Sequence, residues 1–165
     1  MSATIRPATE ADRPAIVDLY NHYIRETAIT FDIEPWTLEA RAPWFAQFAE
    51  AGPHRLMVAE EAGGLAGYAG SMPFRPKAAY ARSVETTIYL APDATGRGLG
   101  RVLYEALFAA LEGEPVHRLL AGITLPNEAS EALHRALGFE PCGHYREVGW
   151  KFGRYWDVRW MDRGL

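Results

Sequence analysis

Residues Val84–Tyr104 read VETTIYLAPDATGRGLGRVLY, and the change of period inside this stretch decides the fold class. From Ser83 to Leu90, strand alternation puts Val84, Thr86, Ile88 and Leu90 on one face and Glu85, Thr87 and Tyr89 on the other. From about Gly98 to Glu112 the apolar residues Leu99, Leu103, Leu107 and Leu111, with Val102, Ala106 and Ala110 beside them, recur at helical spacing. Ala91-Pro92 and the glycine-rich turn Ala94–Arg101 join the two. Gly96, Gly98 and Gly100 leave backbone N–H groups open to a ligand, and the helix behind them adds the positive end of its dipole. Such a loop suits a phosphate or pyrophosphate, with Arg97 and Arg101 adding charge; the bland alternative is a turn that binds nothing. The loop is not GxxxxGK[ST]. Nor is it GxGxxG, because Arg101 and Leu103 stand where the last glycine would fall.

Outward from this unit the pattern alternates strands and helices. Ala3–Pro7 reads as a strand and Glu10–Arg25 as an amphipathic helix capped near Thr9. Thr27–Pro35 reads as loop. Thr37 caps a second helix to about Glu50, in which Pro43 marks a kink or a later start. His54–Glu60 and Leu65–Met72 form a hairpin about Gly63-Gly64. Arg118–Thr124 is a strand, Asn127–Leu137 a helix closed by Gly138, and Gly143–Phe152 and Arg154–Met161 two terminal strands. The class is α/β (or α+β) with a mixed sheet, and residues 1–165 form a single domain.

Composition sets bounds on function. The formal net charge is −4, which argues against nucleic acid as the main partner. The lone cysteine, Cys142, excludes an internal disulfide framework and fits a reducing compartment. No apolar run is long enough to span a membrane, and MSATIRPATEAD has no signal-like core, so the expected location is cytoplasmic with no membrane partner. The histidines show no metal-like spacing, and no metal is expected.

Val84–Tyr104, followed by LPNEASEALHRALGF at Leu125–Phe139, resembles the GNAT superfamily of acetyl-CoA-dependent N-acetyltransferases. With Ile5–Ala8, Tyr20-Asn21, Gly67–Ala69, Phe74–Tyr80 and Gly149–Gly153 added, nearly the whole chain resembles its phosphinothricin / methionine sulfoximine (methionine sulfone) acetyltransferase branch. The resemblance implies a GNAT-like domain: a central mixed sheet splayed between its fourth and fifth strands, flanked by about four helices. It implies pantetheine of acetyl-CoA pairing with backbone at Ile88, Tyr89 and Leu90, and pyrophosphate on the amides of Gly96, Arg97, Gly98, Leu99, Gly100 and Arg101. It also implies cofactor contacts from Asn127 and Ser130. Thr95 departs from the Gln or Arg usual in the superfamily.

Amine acetylation needs a base for the amine, donors for the thioester oxygen, and a proton for the departing thiolate. Glu85, mid-strand between Val84 and Thr86, is the base candidate. By pattern alone it is a solvent-facing glutamate; the resemblance makes it the base, acting directly or through water. His134 is the acid candidate, because a pKa near 6.5 leaves a protonated fraction at neutral pH; the alternative is a packed or solvated helix histidine. The resemblance assigns the carbonyl donor to the N–H at Tyr89 or Leu90. Arg75, Lys77 and Tyr80 form a basic, aromatic loop suited to an anionic acceptor, unless it is merely solvated. Phe31 is a candidate pocket wall, with Glu85 at the floor.

The implied activity is acetyl transfer to the α-amine of a small amino-acid-like acceptor such as phosphinothricin, methionine sulfoximine or methionine sulfone. The alternatives are a protein or peptide N-terminal acetyltransferase and a non-catalytic CoA-binding module. Related proteins are commonly homodimers, and Trp150, Tyr155, Trp156 and Trp160 are candidates for a subunit interface, or for core filling.

Overall fold

The strand that carries the alternation, β4 (Ser83–Leu90), lies at the middle of a sheet whose two faces it serves differently. The computed structural model describes residues 3–165; Met1 and Ser2, part of the N-terminal stretch read above, lie outside them. The strands are β1 (Thr4–Pro7), β2 (Leu56–Glu61), β3 (Gly64–Pro73), β4, β5 (Arg118–Leu125), β6 (Glu140–Lys151) and β7 (Arg154–Gly164). They form one sheet in the order β1-β2-β3-β4-β5-β7-β6. Only the β4–β5 pair is parallel, so the sheet is mixed. The helices are α1 (Arg13–Glu26), α2 (Leu38–Phe45), α3 (Leu99–Leu111) and α4 (Glu128–Ala136).

Each face of the sheet has its own core. Val84, with Ile88 and Leu90 beside it, packs with Leu103, Leu107, Leu111 and Phe139 on the side of α3. Tyr89 joins Tyr68, Val58, Ile16, Val17 and Phe45 on the side of α1 and α2. The expected alternation along β4 therefore stands, and both sets of its side chains find apolar partners.

Several boundaries differ from expectation for local reasons. The first helix begins as a 3-10 turn, Glu10–Asp12, before α1 starts at Arg13. Asp12 holds that turn: its Oδ2 accepts the Thr9 amide at 2.7 Å, and its two oxygens receive a fork from Arg6 at 2.8 Å each. The Thr37 hydroxyl caps α2 as expected, accepting the Ala40 amide at 3.1 Å, but α2 ends at Phe45 rather than near Glu50. Pro43 has no N–H for the Glu39 carbonyl, so the helix lasts only two residues beyond it. The terminal strands are longer than read, and β6 is interrupted between Pro141 and Gly143 and between Tyr145 and Gly149, where it bulges away from β7. Bulges of this kind break period-two patterning.

Candidate active site

β4 and β5 pair only at Ser83–Arg118, Val84–Leu119 and Glu85–Leu120. Beyond Glu85 they part, while β4 remains bonded to β3 as far as Leu90. A cavity of about 350 Å³ lies at this parting. Alternation sends Glu85, Thr87 and Tyr89 to one face and Thr86 and Ile88 to the other, and all five line the cavity. The cavity thus communicates with both faces of the sheet. Tyr20, Arg41, Trp44 and Tyr68 wall it on the side of α1 and α2; Tyr104, Asn127, Ser130 and His134 wall it on the side of α3 and α4.

Glu85 is half-buried, and burial lifts its carboxyl above the usual range while the nearby Arg75 charge pulls it partly back. It faces the cavity rather than bulk solvent. His134 is only 2% exposed. Its Nδ1 lies 2.7 Å from the Ser130 carbonyl oxygen, which can only accept, so Nδ1 carries the proton. Nε2 and the Tyr104 hydroxyl lie 3.1 Å apart, and that hydroxyl donates to Thr86 Oγ1 at 3.4 Å. Burial lowers the His134 pKa, with the Ser130 carbonyl opposing it. His134, the acid candidate, is thus buried in the cavity wall with both ring nitrogens in contact with polar partners, and burial favours its neutral form. Burial also raises the Tyr104 pKa, so its hydroxyl keeps its proton.

The glycine loop is built for close approach. Gly96 and Gly98 have φ of +72° and +79°, and a Cβ at either would meet only open space. Gly98 leads directly into α3, and the first recorded backbone donor after it is Arg101, to the Gly98 carbonyl at 3.2 Å. The amides of Arg97–Gly100 have no backbone or side-chain acceptor among the described residues, the condition an oxyanion needs. Leu99 and Gly100 are buried at the start of the helix. The charges expected at Arg97 and Arg101 are partly spoken for: Arg97 forks onto Glu61 at 2.9 and 2.8 Å, and Arg101 reaches Glu105 at 2.8 Å. Past Glu85, β4 lacks a partner on the β5 side, leaving an edge at Ile88–Leu90 that an extended chain can pair with. Tyr23 already donates to the Leu90 carbonyl at 2.7 Å. Asn127 Oδ1 caps α4 by accepting the Ser130 amide at 3.2 Å, which leaves its Nδ2 for a ligand. Of the residues expected to serve the cofactor, Ile88, Tyr89, Asn127 and Ser130 line the cavity, whereas Leu90 and Gly96–Arg101 do not.

The acceptor residues divide. Phe31 lines the cavity, as expected. Its ring sits against Gly149, where a Cβ would come within 2.3 Å of it. The segment is pinned: Lys151 Nζ donates to the Thr30 carbonyl at 2.9 Å, and Tyr20 bridges Thr30 Oγ1 and Asp32 at 2.7 and 2.6 Å. Burial and Asp32 together push the Tyr20 hydroxyl up to about 12. Arg75, Lys77 and Tyr80 are exposed and do not line the cavity. Arg75 donates to the Phe74 carbonyl at 3.0 Å and lies over the Phe74 ring at 4.3 Å and the cavity-lining Trp160 ring at 5.7 Å, close enough for its charge to act on Glu85. The cation in the cavity wall is Arg41, which sequence reading missed. Its signal was an arginine three residues before Trp44 and five after Trp36. Tyr104 was also missed, although a tyrosine in the apolar stripe of α3 carries a hydroxyl that burial obliges to find a partner. The tryptophans split as well: Trp150 and Tyr155 are exposed, Trp156 donates to the Lys151 carbonyl at 2.8 Å, and Trp160 lines the cavity. Among the described residues, no cluster of three or more His, Cys, Asp or Glu could hold a metal, and no helix is long and apolar enough to cross a membrane.

Known proteins share this arrangement. A family model described as an acetyltransferase (GNAT) domain matches residues 5–160. A phosphinothricin N-acetyltransferase of Streptomyces coelicolor is 57% identical over 98% of this chain and 95% of its own length. An L-methionine sulfoximine/L-methionine sulfone acetyltransferase of Pseudomonas paraeruginosa is 38% identical over 100% of this chain and 96% of its own. The solved structure of a phosphinothricin acetyltransferase from Sinorhizobium meliloti in complex with acetyl-CoA superposes with a TM-score of 0.92 at 34% identity, covering 100% of this chain and 89% of that one. A sheet that parts after Glu85, a glycine loop with free amides and a match over nearly the full length have one common explanation: the chain belongs to the GNAT family of acetyltransferases.

Proposed function

We propose that this acyltransferase moves the acetyl group of acetyl-CoA to the α-amine of a small amino-acid-like acceptor of the phosphinothricin, methionine sulfoximine or methionine sulfone type. The observation that carries the reading is the cavity at the parted sheet, with Glu85 facing one side and the Thr86–Tyr104–His134 chain the other. Bound acetyl-CoA supplies an activated thioester. The free amides of Arg97–Gly100 and the start of α3 suit its pyrophosphate, and the open β4 edge at Ile88–Leu90 suits its pantetheine. The acceptor enters from the side of α1 and α2.

There Glu85 takes the proton of the α-amine, directly or through a water. An α-amine has a pKa of about 7.7–8.0, so a carboxylate lifted by burial is a competent base. An N–H of Tyr89 or Leu90 at the open edge receives the charge that develops on the carbonyl oxygen. As the tetrahedral adduct collapses the C–S bond breaks, and the CoA thiolate takes up a proton at the His134–Tyr104 pair, whose Nε2 and hydroxyl lie 3.1 Å apart in the cavity wall. Attack is direct: Cys142 is exposed and lies outside the cavity wall. The exposed apolar side chains Val148, Trp150, Phe152 and Tyr155 on the β6–β7 hairpin support a homodimer, and the lone cysteine supports a cytoplasmic location.

The test is CoA release from acetyl-CoA with phosphinothricin, methionine sulfoximine, methionine sulfone, ordinary amino acids and a basic protein N-terminal peptide. Turnover concentrated on the small acceptors is expected. Turnover on the peptide alone, or binding of acetyl-CoA without any turnover, refutes the proposal.

A further inference from the structure

We infer that Arg41 is a receptor for an anionic oxo group of the acceptor, in addition to the basic loop of Arg75 and Lys77. The inference rests on the acceptor entering from the side of α1 and α2. Arg41 lines the cavity on that side. Its guanidinium lies 4.5 Å from the Tyr20 ring, 5.0 Å from Trp36 and 4.5 Å from Trp44. Stacking on rings occupies the faces of a guanidinium and leaves its edge, a planar fork of N–H donors, without a partner. Among the described residues Arg41 has no hydrogen-bond acceptor and no ion pair. Most other arginines have one: Arg6, Arg13, Arg55, Arg97, Arg101, Arg118, Arg135 and Arg159 each reach a carboxylate. The acid bonded to the same aromatic set, Asp32, is held by the Tyr20 hydroxyl at 2.6 Å and the Trp36 indole at 3.0 Å and makes no ion pair with Arg41.

The placement fits the chemistry. Trp44, under Arg41, donates its indole N–H to Met72 Sδ at 3.2 Å, and Met72 is the register partner of Glu85. Tyr20, also under Arg41, meets the edge of Tyr89, on the Glu85 face of β4. Glu85 and Arg41 therefore line one cavity from neighbouring elements, so a single small acceptor can meet Glu85 with its amine and Arg41 with its anion. Both carboxylate and phosphinate match the bidentate geometry of a guanidinium fork.

The test uses wild type, Arg41→Gln and Arg41→Lys with three acceptors. Phosphinothricin carries carboxylate and phosphinate, methionine sulfone carries carboxylate only, and methionine sulfone amide carries neither. Arg41→Gln should raise the acceptor KM roughly 10–150-fold, more than it lowers kcat, with the acetyl-CoA KM within about twofold of wild type. Arg41→Lys should recover part of the loss. Equal losses on phosphinothricin and the sulfone, with none on the amide, assign Arg41 to the carboxylate; a loss on phosphinothricin alone assigns it to the tail anion. A second readout needs no turnover: because Arg41 stacks on Trp36 and Trp44, phosphinothricin should change their fluorescence saturably in wild type and not in Arg41→Gln. A rise below about threefold on every acceptor in a variant with a wild-type melting curve overturns the inference. So does the same loss on the amide as on the acids, which marks lost packing alone. Absence of wild-type turnover on all the small acceptors is a separate result: it removes the proposed function, and the inference with it.

Discussion

Gly149→Ala is the sharpest probe of the acceptor wall. A methyl at this position would stand 2.3 Å from Cε2 and Cζ of Phe31, against 3.4 Å for the start of ordinary contact, so the ring must move by about 3.4 − 2.3 = 1.1 Å. The backbone beneath the ring is poorly placed to follow, because Lys151 Nζ and Tyr20 both hold Thr30. The side with free space is the cavity itself. Overpacking of this size costs about 1–3 kcal/mol, and if the ring moves into the acceptor volume that cost appears as a rise of roughly 5–150-fold in acceptor KM. Acetyl-CoA KM should stay near wild type, since the proposed cofactor contacts at Gly96–Arg101, Asn127 and Ser130 do not touch Phe31 or Gly149. Steady-state kinetics with both substrates varied, together with a thermal melt, give the answer. The double variant Gly149→Ala/Phe31→Leu should recover most of the loss, and the non-additivity measures the contact. An unchanged acceptor KM with a lowered melting temperature would mean that the ring moves away from the cavity and that Phe31 is not its wall. No change in either would refute the seating of Phe31 on Gly149.

Two further outcomes are expected. Glu85→Gln should lower turnover about 10²–10⁴-fold and remove the enzyme's own ionisation from the acidic limb of the kcat–pH profile, read with the acceptor saturating. In wild type that limb should lie above the usual 4.5 of a glutamate, because the base works only as carboxylate and burial raises its pKa; a limb unchanged in the variant removes Glu85 from the mechanism. Arg6→Ala should destabilise at neutral pH. The Arg6 fork lowers Asp12 from 3.8 to about 2, a depressed carboxyl pKa, so the stability is present above about pH 4 and lost as pH falls toward 2. With the Arg6 side chain 34% exposed, screening leaves about 1 kcal/mol, or roughly 2–4 °C in Tm; a wild-type–variant gap that persists at pH 2 contradicts the linkage.

What could be read in the sequence, and what could not, follows the range of the interactions. Strand alternation at Ser83–Leu90, the helical stripe from Leu99 and the glycines between them are local signals, and they located β4, α3 and the loop. Glu85 stood out because an acid inside a β-branched strand conflicts with its neighbours. Arg41 did not, because α2 has little periodicity of its own, and the three rings around Arg41 come from α1, α2 and the segment before α2. The wall at Phe31 depends on Lys151, 121 residues away from Thr30, and no window reads that far. The setting of His134 was not legible for a related reason. A reference pKa describes a solvated imidazole, whereas this one is held between the Ser130 carbonyl and the buried Tyr104 hydroxyl.

The parting of β4 from β5 after Glu85 also has a consequence for descent and for traffic. An opening through a sheet has two mouths, and here they are made from different parts of the chain. The segment linking α1 to α2, with Arg41 and Trp44 of α2, lines one side; Tyr104 of α3 and Asn127, Ser130 and His134 at α4 line the other. Donor and acceptor can occupy the protein together, and each product can leave by the mouth through which its parent came. Selection acting on what is acetylated falls on one set of residues, and selection for the acetyl donor on another. A lineage with this architecture can change the acceptor it serves without renegotiating its grip on the acetyl donor.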